Sequence, residues 1–229
     1  MGYYKYDQLS EKWGEDKFDY LLGSEILQEM EPIDALKELV LDAHNNKGKM
    51  IIIDSGSHFV YDGTKNERQK LKEFIELQKD NDEVDLSYVC FKEEIKEKFF
   101  EYIKDRKISF ANSIFEEEAY FTEFKFIKEV NFEGVQFKEI TNFNRVEFLE
   151  ECSFENVYFM KEVEFKKTEF KNNAKFSASR FKKFASFEGT IFTKDADFEN
   201  SIAQDLFYFH NVKLGKLNLI GSHFDKANF

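Results

Sequence analysis

Proline, tryptophan and cysteine are scarce in this 229-residue sequence, which contains one Pro, one Trp and two Cys. Cys90 and Cys152 are too few for a framework of disulfide bonds or for a structural zinc site. The same low count agrees with a reducing compartment. We therefore expect no redox chemistry, no metal site and no cofactor.

Long hydrophobic runs and a positive net charge are also absent. The most apolar segment, Met50 to Ile53, is far too short to cross a bilayer, and the N-terminus lacks the apolar stretch of a signal peptide. The formal net charge of −12 argues against general affinity for nucleic acid, because binding to phosphates requires a basic face. The sequence therefore predicts a cytoplasmic protein that does not bind nucleic acid directly.

Phenylalanine, in contrast, is abundant, with 29 copies. From Phe110 to Phe198 it recurs at steps that alternate between five and six residues, and the rhythm continues through Ala203 and Phe209 before it settles at steps of five up to Phe229. Such a period indicates a repeat architecture in which one residue type is reused at one structural position. The uninterrupted positions are Phe110, Phe115, Phe121, Phe126, Phe132, Phe137, Phe143, Phe148, Phe154, Phe159, Phe165, Phe170, Phe176, Phe181, Phe187, Phe192 and Phe198.

A second register of small or β-branched residues lies two positions before the large ones. Residues two apart in an extended segment point to the same face, so each repeat directs one small and one large side chain inward. The intervening residues are mostly Lys, Glu, Asp, Asn and Gln, which we expect to face water. The middle of the core is predicted at Phe132, Phe143, Phe154, Phe165 and Phe176.

Two other architectures fit this spacing poorly. An 11-residue period occurs in right-handed coiled coils, but a five-residue step turns an α-helix by about 500°, which leaves successive Phe side chains about 140° apart. A β-meander would need Gly, Pro or Asn-Gly pairs at its turns, and these are sparse. A solenoid with one short side per Phe fits best.

The stretches Phe-Glu-Gly-Val-Gln-Phe (132–137) and Phe-Asp-Lys-Ala-Asn-Phe (224–229) resemble the pentapeptide-repeat family, whose consensus is Ala, Asp or Asn, Leu or Phe, and two variable residues. The alternation of five and six resembles a variant of that family with an extra residue on every second side. The resemblance implies a mainly β protein in which residues 110–229 form a right-handed quadrilateral β-helix. With four sides to a coil, one coil takes about 22 residues and rises about 4.8 Å.

Three positions break the pattern. Phe124 and Phe207 stand where the second register requires a small residue, so we expect the coil to bulge or the ring to turn outward. Ala203 underfills a Phe position, and the bulky Leu206 and Phe207 nearby would compensate. We interpret all three as repacking of the core rather than as a ligand cavity.

Residues 1–109 lack this rhythm, and we interpret them as a small α/β domain that caps the open end of the solenoid. An uncovered end would expose Phe side chains and unpaired strand edges. Helix starts and apolar periodicity define the elements of this domain. They are a helix from Pro32 to Gly48, a strand at Met50–Ile53, a helix opened by Thr64 and Glu67, a strand at Leu86–Phe91, and a helix from Lys92 to Arg106 that runs into the first repeat.

The other end has no visible cap, because the last residue, Phe229, is itself a core position. The coil formed by Leu214 to Phe229 would either pair with a second copy in a homodimer or continue in a longer protein. The resemblance adds that proteins with this repeat variant sometimes continue into membrane-spanning segments, which would change the predicted localisation.

Asp54, Ser57 and His58 combine an acid, a hydroxyl and a histidine in a loop after the Ile-rich strand, which is where the sites of α/β proteins lie. No nucleophile elbow, phosphate-binding glycine pattern or second histidine with ligand spacing accompanies them. A simple loop is therefore favoured, and no residue is predicted to be catalytic.

Charge along the repeat is uneven. Residues Phe115 to Glu164 contain thirteen Glu and five Lys or Arg, whereas Phe165 to Phe229 contain eleven basic and seven acidic residues. This separation favours oriented docking with a charged partner. The acidic candidates for such a contact are Glu116, Glu117, Glu118, Glu150 and Glu151.

Three functions are compatible with these features. The first is a non-enzymatic scaffold that binds another protein through the outward faces of a rigid rod. The second follows from the resemblance, since some pentapeptide-repeat proteins mimic DNA and bind type II topoisomerases such as DNA gyrase. The nearly balanced repeat, with sixteen basic and twenty acidic residues, weakens that hypothesis. The third is an enzymatic or ligand-binding N-terminal domain carried by the rod.

Overall fold

The structure is a computed structural model, and it describes residues 75, 78, 82–94, 103 and 105–229, together with the backbone of residues 59–61. Almost all of these residues lie in short strands and turns. The chain winds into a parallel β-solenoid of about six coils. The mainly β, coiled architecture predicted from the repeat is therefore confirmed.

Each coil has four walls, which we number in chain order, and each wall contributes one strand to a stack that runs along the solenoid. Equivalent residues of successive coils are 22 positions apart, so that Phe137 pairs in parallel with Phe115 on one side and with Phe159 on the other. The first and second walls form one sheet, and the third and fourth walls form the other.

In the last coils the two walls of each sheet merge into longer strands. The first wall contains Phe59–Tyr61, Val89–Phe91, Ile114–Phe115, Gln136–Phe137, Tyr158–Phe159 and Arg180–Phe181. The second contains Ala119–Tyr120, Thr141–Asn142, Val163–Glu164 and Ala185–Ser186, and both walls end in Ile202–Tyr208 and His223–Asn228. The third contains Lys125–Phe126, Glu147–Phe148 and Glu169–Phe170. The fourth contains Glu83–Asp85, Lys107–Ser109, Val130–Asn131, Cys152–Ser153 and Ala174–Lys175, and the last two walls end in Ile191–Asp197 and Lys213–Asn218.

The inward phenylalanine rings form stacked columns, and rings of different columns meet edge to face or tilted. Within columns, the ring centroids of Phe132 and Phe154 are 4.9 Å apart, and those of Phe154 and Phe176 and of Phe143 and Phe165 are 4.8 Å apart. Between columns, Phe143 meets Phe154 edge to face at 87°. Both arrangements are favoured by aromatic pairs. All five predicted core rings are fully buried, so this assignment is confirmed.

The small inward register is buried together with the rings, and its hydroxyls are satisfied by the backbone. Thr168 and Thr190 donate hydrogen bonds of 2.6 Å to the carbonyl oxygens of Phe143 and Phe165, each 25 residues earlier. Ser201 donates to Phe176 in the same way at 2.7 Å. A polar group inside the coil is tolerated because it has a partner there.

The five-residue steps contain tight turns whose third residue has a positive φ. In the turn that begins at Phe132, for example, Gly134 has φ 68° and the amide of Val135 donates to the carbonyl of Phe132. A positive φ at this one central position is typical of a type II turn. The turn residues recur every 11 positions: Asn112, Glu123, Gly134, Arg145, Asn156, Lys167, Ala178, Gly189, Asn200 and Asn211.

The six-residue steps contain the extra residue in a bend where two walls of one sheet meet. We call the bend between the first and second walls the first edge; it comprises residues 116–118, 138–140, 160–162 and 182–184. We call the bend between the third and fourth walls the second edge; it comprises residues 127–129, 149–151 and 171–173. The two edges therefore belong to different sheets.

The two oversized residues of the second register both point inward. The expectation of either a bulge or an outward ring is therefore wrong at Phe124, whereas at Phe207 the bulge is present and the ring does not turn outward. Phe124 is 6% exposed and packs edge to face on Phe126 at 4.7 Å, while its backbone keeps the hydrogen bonds of a regular coil. Phe207 is fully buried beside Phe181 and stacks at 4.4 Å on Phe224.

The ring of Phe207 compensates for the small residue at Ala203, as the sequence predicted. Ala203 pairs with Phe181 below it and with Phe224 above it, in a column that otherwise carries a ring in every coil. Phe207 contacts both of these rings, and a register shift separates Ala203 from Leu206 in this pairing. The predicted bulge is therefore present here, and the column stays filled.

The change from six-residue to five-residue steps near the end produces a second bulge. Phe192 pairs with Leu214 and Asp195 pairs with Lys216. Between these two pairs, one strand therefore advances by three residues and the other by two. Gly215 lies at this point, where the carbonyl oxygens of Thr193 and Lys194 leave no room for a Cβ. A β-bulge of this kind accommodates one unpaired residue.

Both sheets begin before Phe110, where the rhythm starts in the sequence. Val89–Phe91 pairs with Ile114–Phe115, and the ring of Phe91 stacks on Phe115 at 4.5 Å. Glu83–Asp85 pairs with Lys107–Ser109. The strand predicted at Leu86–Phe91 is thus present as Val89–Phe91, inside the solenoid. The remaining N-terminal elements, including most of the helix predicted from Lys92 to Arg106, lie outside the described residues.

Replacing Phe154 by Ala is expected to lower the free energy of unfolding by about 3–5 kcal/mol, because the change removes a buried ring and leaves a cavity between two coils. Urea denaturation of the substituted and unsubstituted chains measures this difference. A loss below about 1 kcal/mol would contradict the central position of this ring in the column.

Replacing Gly215 by Ala is expected to lower the free energy of unfolding by about 1–3 kcal/mol, the usual cost of overpacking. The added Cβ would lie 2.6 Å from the carbonyl oxygen of Lys194 and 2.9 Å from that of Thr193. Lys216→Ala, in the same strand but exposed, should change stability by less than about 0.5 kcal/mol. Equal effects of the two substitutions would show that the bulge does not require glycine.

Candidate interaction surface

The five glutamates expected to contact a partner lie on two different sheets. Glu116, Glu117 and Glu118 occupy the first edge of one coil, whereas Glu150 and Glu151 occupy the second edge of the next coil. The structure therefore does not bring the two runs together, and each has its own neighbours.

The run at the first edge is partly engaged within the chain. The Nζ of Lys138, one coil further on, donates to Oε1 of Glu116 at 3.1 Å, and this hydrogen bond lowers the pKa of Glu116. The hydroxyl of Tyr120 donates to Oε2 of Glu118 at 2.5 Å, which raises the pKa of Tyr120 to about 12. Two of these three carboxylates thus have fixed partners.

Glu151, in contrast, lines an open groove of about 320 Å³ on the fourth wall. Because equivalent residues are 22 positions apart, the groove collects one or two charged side chains from each of several coils. Sequence reasoning selected only Glu151 and missed the others, although the 22-residue period would have aligned them. The lining residues are Glu83, Lys107, Ile108, Glu129, Val130, Asn131, Glu133, Glu151, Ser153, Glu155 and Lys175.

Two lysines neutralise part of this groove. The Nζ of Lys107 lies 2.8 Å from Oε2 of Glu129, and the Nζ of Lys175 lies 2.6 Å from Oε1 of Glu151. The hydrogen bond from Lys175 lowers the pKa of Glu151. Five glutamates against two lysines leave an excess of three negative charges along the lining.

The three remaining glutamates have different surroundings. Glu155 accepts hydrogen bonds from the hydroxyls of Ser153 and Ser177, at 3.2 and 3.1 Å. Burial raises the pKa of Glu83, and the nearby carboxylate of Asp85 raises it further. Glu133 is exposed. The groove is therefore an acidic surface in which side chains of neighbouring coils hold Glu129, Glu151 and Glu155 in position.

A second concavity, of about 460 Å³, lies along the first wall. Gln136, Tyr158 and Arg180 line it from successive coils, because these three residues pair directly with one another across the strands. Among the described residues that line it, Arg180 is the one with a charge, so this surface differs in character from the acidic groove.

The remaining candidates from the sequence have clear placements or lie outside the described residues. Cys90 and Cys152 are buried as predicted, and burial raises the pKa of both thiols, which disfavours the reactive thiolate. Asp54, Ser57 and His58 lie outside the described residues. Within the part of the chain that is described, no group of three or more His, Cys, Asp and Glu side chains could hold a metal ion, and no helix has the length and apolar character to cross a membrane.

Replacing Glu151 by Gln tests the paired part of the groove. Lys175 lowers the pKa of Glu151 in the folded chain, so the pair stabilises the fold at neutral pH and this contribution is lost as the pH falls through the folded pKa. We expect the unsubstituted chain to be more stable at pH 7 by about 0.2–1 kcal/mol, the usual range for exposed ion pairs. Urea denaturation at neutral pH and at pH ~3 should show the difference vanishing in acid; a difference that persists there would contradict the pairing.

Comparison with known proteins agrees with the geometry of the coils. The family model described as pentapeptide repeats (9 copies) matches residues 121–169 and 154–202. These ranges contain the coils in which the positive-φ turns and the inward rings recur without interruption. No curated protein and no solved structure matches the chain. Residues 121 to 202 are therefore similar to the pentapeptide repeats of this family, and they form regular coils of the solenoid.

Proposed function

We propose that the solenoid is a non-enzymatic module that binds another protein, and that the acidic groove of the fourth wall receives a basic segment of this partner. The observation that carries the proposal is the excess of three negative charges in the groove, to which four coils contribute glutamates. Complementary charge of this kind steers and orients a partner.

The geometry of the groove suits an extended segment that lies along the solenoid. Glu129 and Glu151 occupy equivalent positions in adjacent coils, as do Glu133 and Glu155, so carboxylates recur about every 4.8 Å along the axis. Side chains on one face of an extended peptide recur about every 6.7 Å. Long, flexible Lys or Arg side chains can bridge the difference between these two spacings. Because hydrogen bonds already fix the coils, the solenoid loses little conformational entropy on binding.

Mimicry of DNA has less support than this binding mode. Glu116 and Glu151 are neutralised by Lys138 and Lys175, and the two glutamate runs lie on different sheets. The charged surface therefore does not favour a topoisomerase over other basic partners. A binding experiment can still test whether a topoisomerase is the partner.

Affinity capture with the full chain tests the proposal. The chain is immobilised, incubated with lysate of the source organism at low salt, and bound proteins are identified by mass spectrometry. We expect the triple variant Glu129→Gln, Glu133→Gln and Glu155→Gln to lose the partner, because it removes three charges from the groove. A peptide that covers the most basic segment of the captured protein should bind the unsubstituted chain and not this variant.

The matched control removes three carboxylates on the side of the third wall that are at least partly exposed, through Glu123→Gln, Glu147→Gln and Glu169→Gln, and should retain the partner. Equal thermal unfolding of both variants would show that each is folded. Identical captured proteins for both variants would contradict the assignment to the groove. Loss of a type II topoisomerase from the groove variant alone would support DNA mimicry.

A further inference from the structure

The first edge carries an ordered pattern of charge at the apex of its bends. The apex residues of four successive coils are Glu117, Glu139, Lys161 and Lys183, each 22 positions after the one before. Their spacing along the solenoid is about 4.8 Å, the distance between hydrogen-bonded strands. Two negative charges are thus followed by two positive charges along one line.

Several charges elsewhere on the coils are arranged differently. Four ion pairs join opposite charges that are 22 positions apart, so that one coil neutralises the next: Lys107–Glu129, Lys125–Glu147, Glu116–Lys138 and Glu123–Arg145. At the apex of the first edge, like charges are instead neighbours at both ends, and adjacent like charges are destabilising.

None of the four apex side chains is neutralised within the described part of the chain. Glu117, Glu139, Lys161 and Lys183 form no side-chain hydrogen bond or ion pair with any part of the chain that the structure describes. Their charges therefore remain available for a partner, and the partner that fits them must present the reverse order.

A second copy of this chain presents that reverse order when it lies antiparallel. A two-fold axis perpendicular to the solenoid, between the coils of Glu139 and Lys161, places Glu139 opposite Lys161 of the other copy and Glu117 opposite Lys183. Symmetry doubles these contacts to four ion pairs, as in any isologous interface. A parallel arrangement would place like charges together, so the charges select the antiparallel one.

An apolar residue lies beside the centre of this pattern. Ile140, next to Glu139, is 39% exposed. The other exposed large hydrophobic residues of the described chain, Leu214, Ile220 and Phe229, all lie in its last coil. The antiparallel copy would cover Ile140 close to the two-fold axis, which adds an apolar contact to the four ion pairs.

We propose that two copies of this chain associate side by side and antiparallel through the first edge. The contact uses neither the residues of the acidic groove nor those of the last coil, so it is independent of the partner binding proposed above. Because its charges are exposed, the association should be strongest at low ionic strength, where screening is weak.

Sedimentation velocity with charge-reversed chains tests this arrangement. The variant Lys161→Glu, Lys183→Glu has four negative apex charges, and the variant Glu117→Lys, Glu139→Lys has four positive ones. Each alone should be monomeric, with a dissociation constant raised at least about tenfold. A mixture of the two should form a heterodimer, and a chain with all four substitutions should dimerise again, because its pattern is reversed but still self-complementary.

The control Lys128→Glu, Lys194→Glu changes two lysines on the side of the second edge and should leave the dimer intact. Raising the salt from about 50 mM to about 500 mM should weaken the native dimer. The proposal is overturned if the unsubstituted chain is monomeric at both salt concentrations, or if its dimer survives in both double variants. A dimer that is lost through Ile220→Lys and not through the edge variants would assign association to the coil of Leu214 to Phe229 and would also overturn it.

Discussion

The stacking of phenylalanine rings at the spacing of hydrogen-bonded strands is the constraint on which the rest of this structure depends. Parallel strands lie about 4.8 Å apart, and the rings of Phe148, Phe170 and Phe192 stack at 4.9 and 4.7 Å with nearly parallel planes. A ring is buried only when the coils on both sides are in register with it. Backbone hydrogen bonds and side-chain packing therefore select the same register, and neither can shift alone.

The interior that results leaves little freedom for the remaining inward residues. Rings of neighbouring columns meet edge to face or tilted throughout the interior, so the residue two positions earlier must be small unless a neighbour makes room. Phe207 is accommodated because Ala203 leaves a gap in the adjacent column, and Phe124 is accommodated at the side of Phe126. Hydroxyls such as that of Thr168 are tolerated because a carbonyl of the preceding coil accepts their hydrogen bond.

The same register determines the surface. Residues 22 positions apart become neighbours, so opposite charges in adjacent coils pair, as Glu123 does with Arg145. Where the charge at equivalent positions changes from one coil to the next, the surface has different charges at its two ends along the solenoid. The acidic groove around Glu151 and the ordered charges from Glu117 to Lys183 both arise in this way, on different sheets of one rigid stack.

Much of the core could be predicted from the sequence by itself, because the steps between inward rings alternate regularly between five and six residues and phenylalanine fills every such position from Phe110 to Phe198. The burial of Phe154, the small inward register and the parallel coil follow from spacing alone. The strand at Val89–Phe91 has the same small-then-large pattern, but the intervening chain before Phe110 interrupts the spacing, so its place in the solenoid could not be counted from the repeat.

The sequence by itself determined the inward half of each repeat, since burial allows few residue types there. Only the tertiary structure decided which outward residues act together. Glu150 and Glu118 belong to similar acidic runs, yet they lie on different sheets, whereas Glu129 and Glu151 line one groove. The physical reason is that almost any polar side chain is tolerated at a solvent-exposed position, so residue type there carries little structural information. Which outward residues are neighbours depends on the pairing of coils and on the order of the walls.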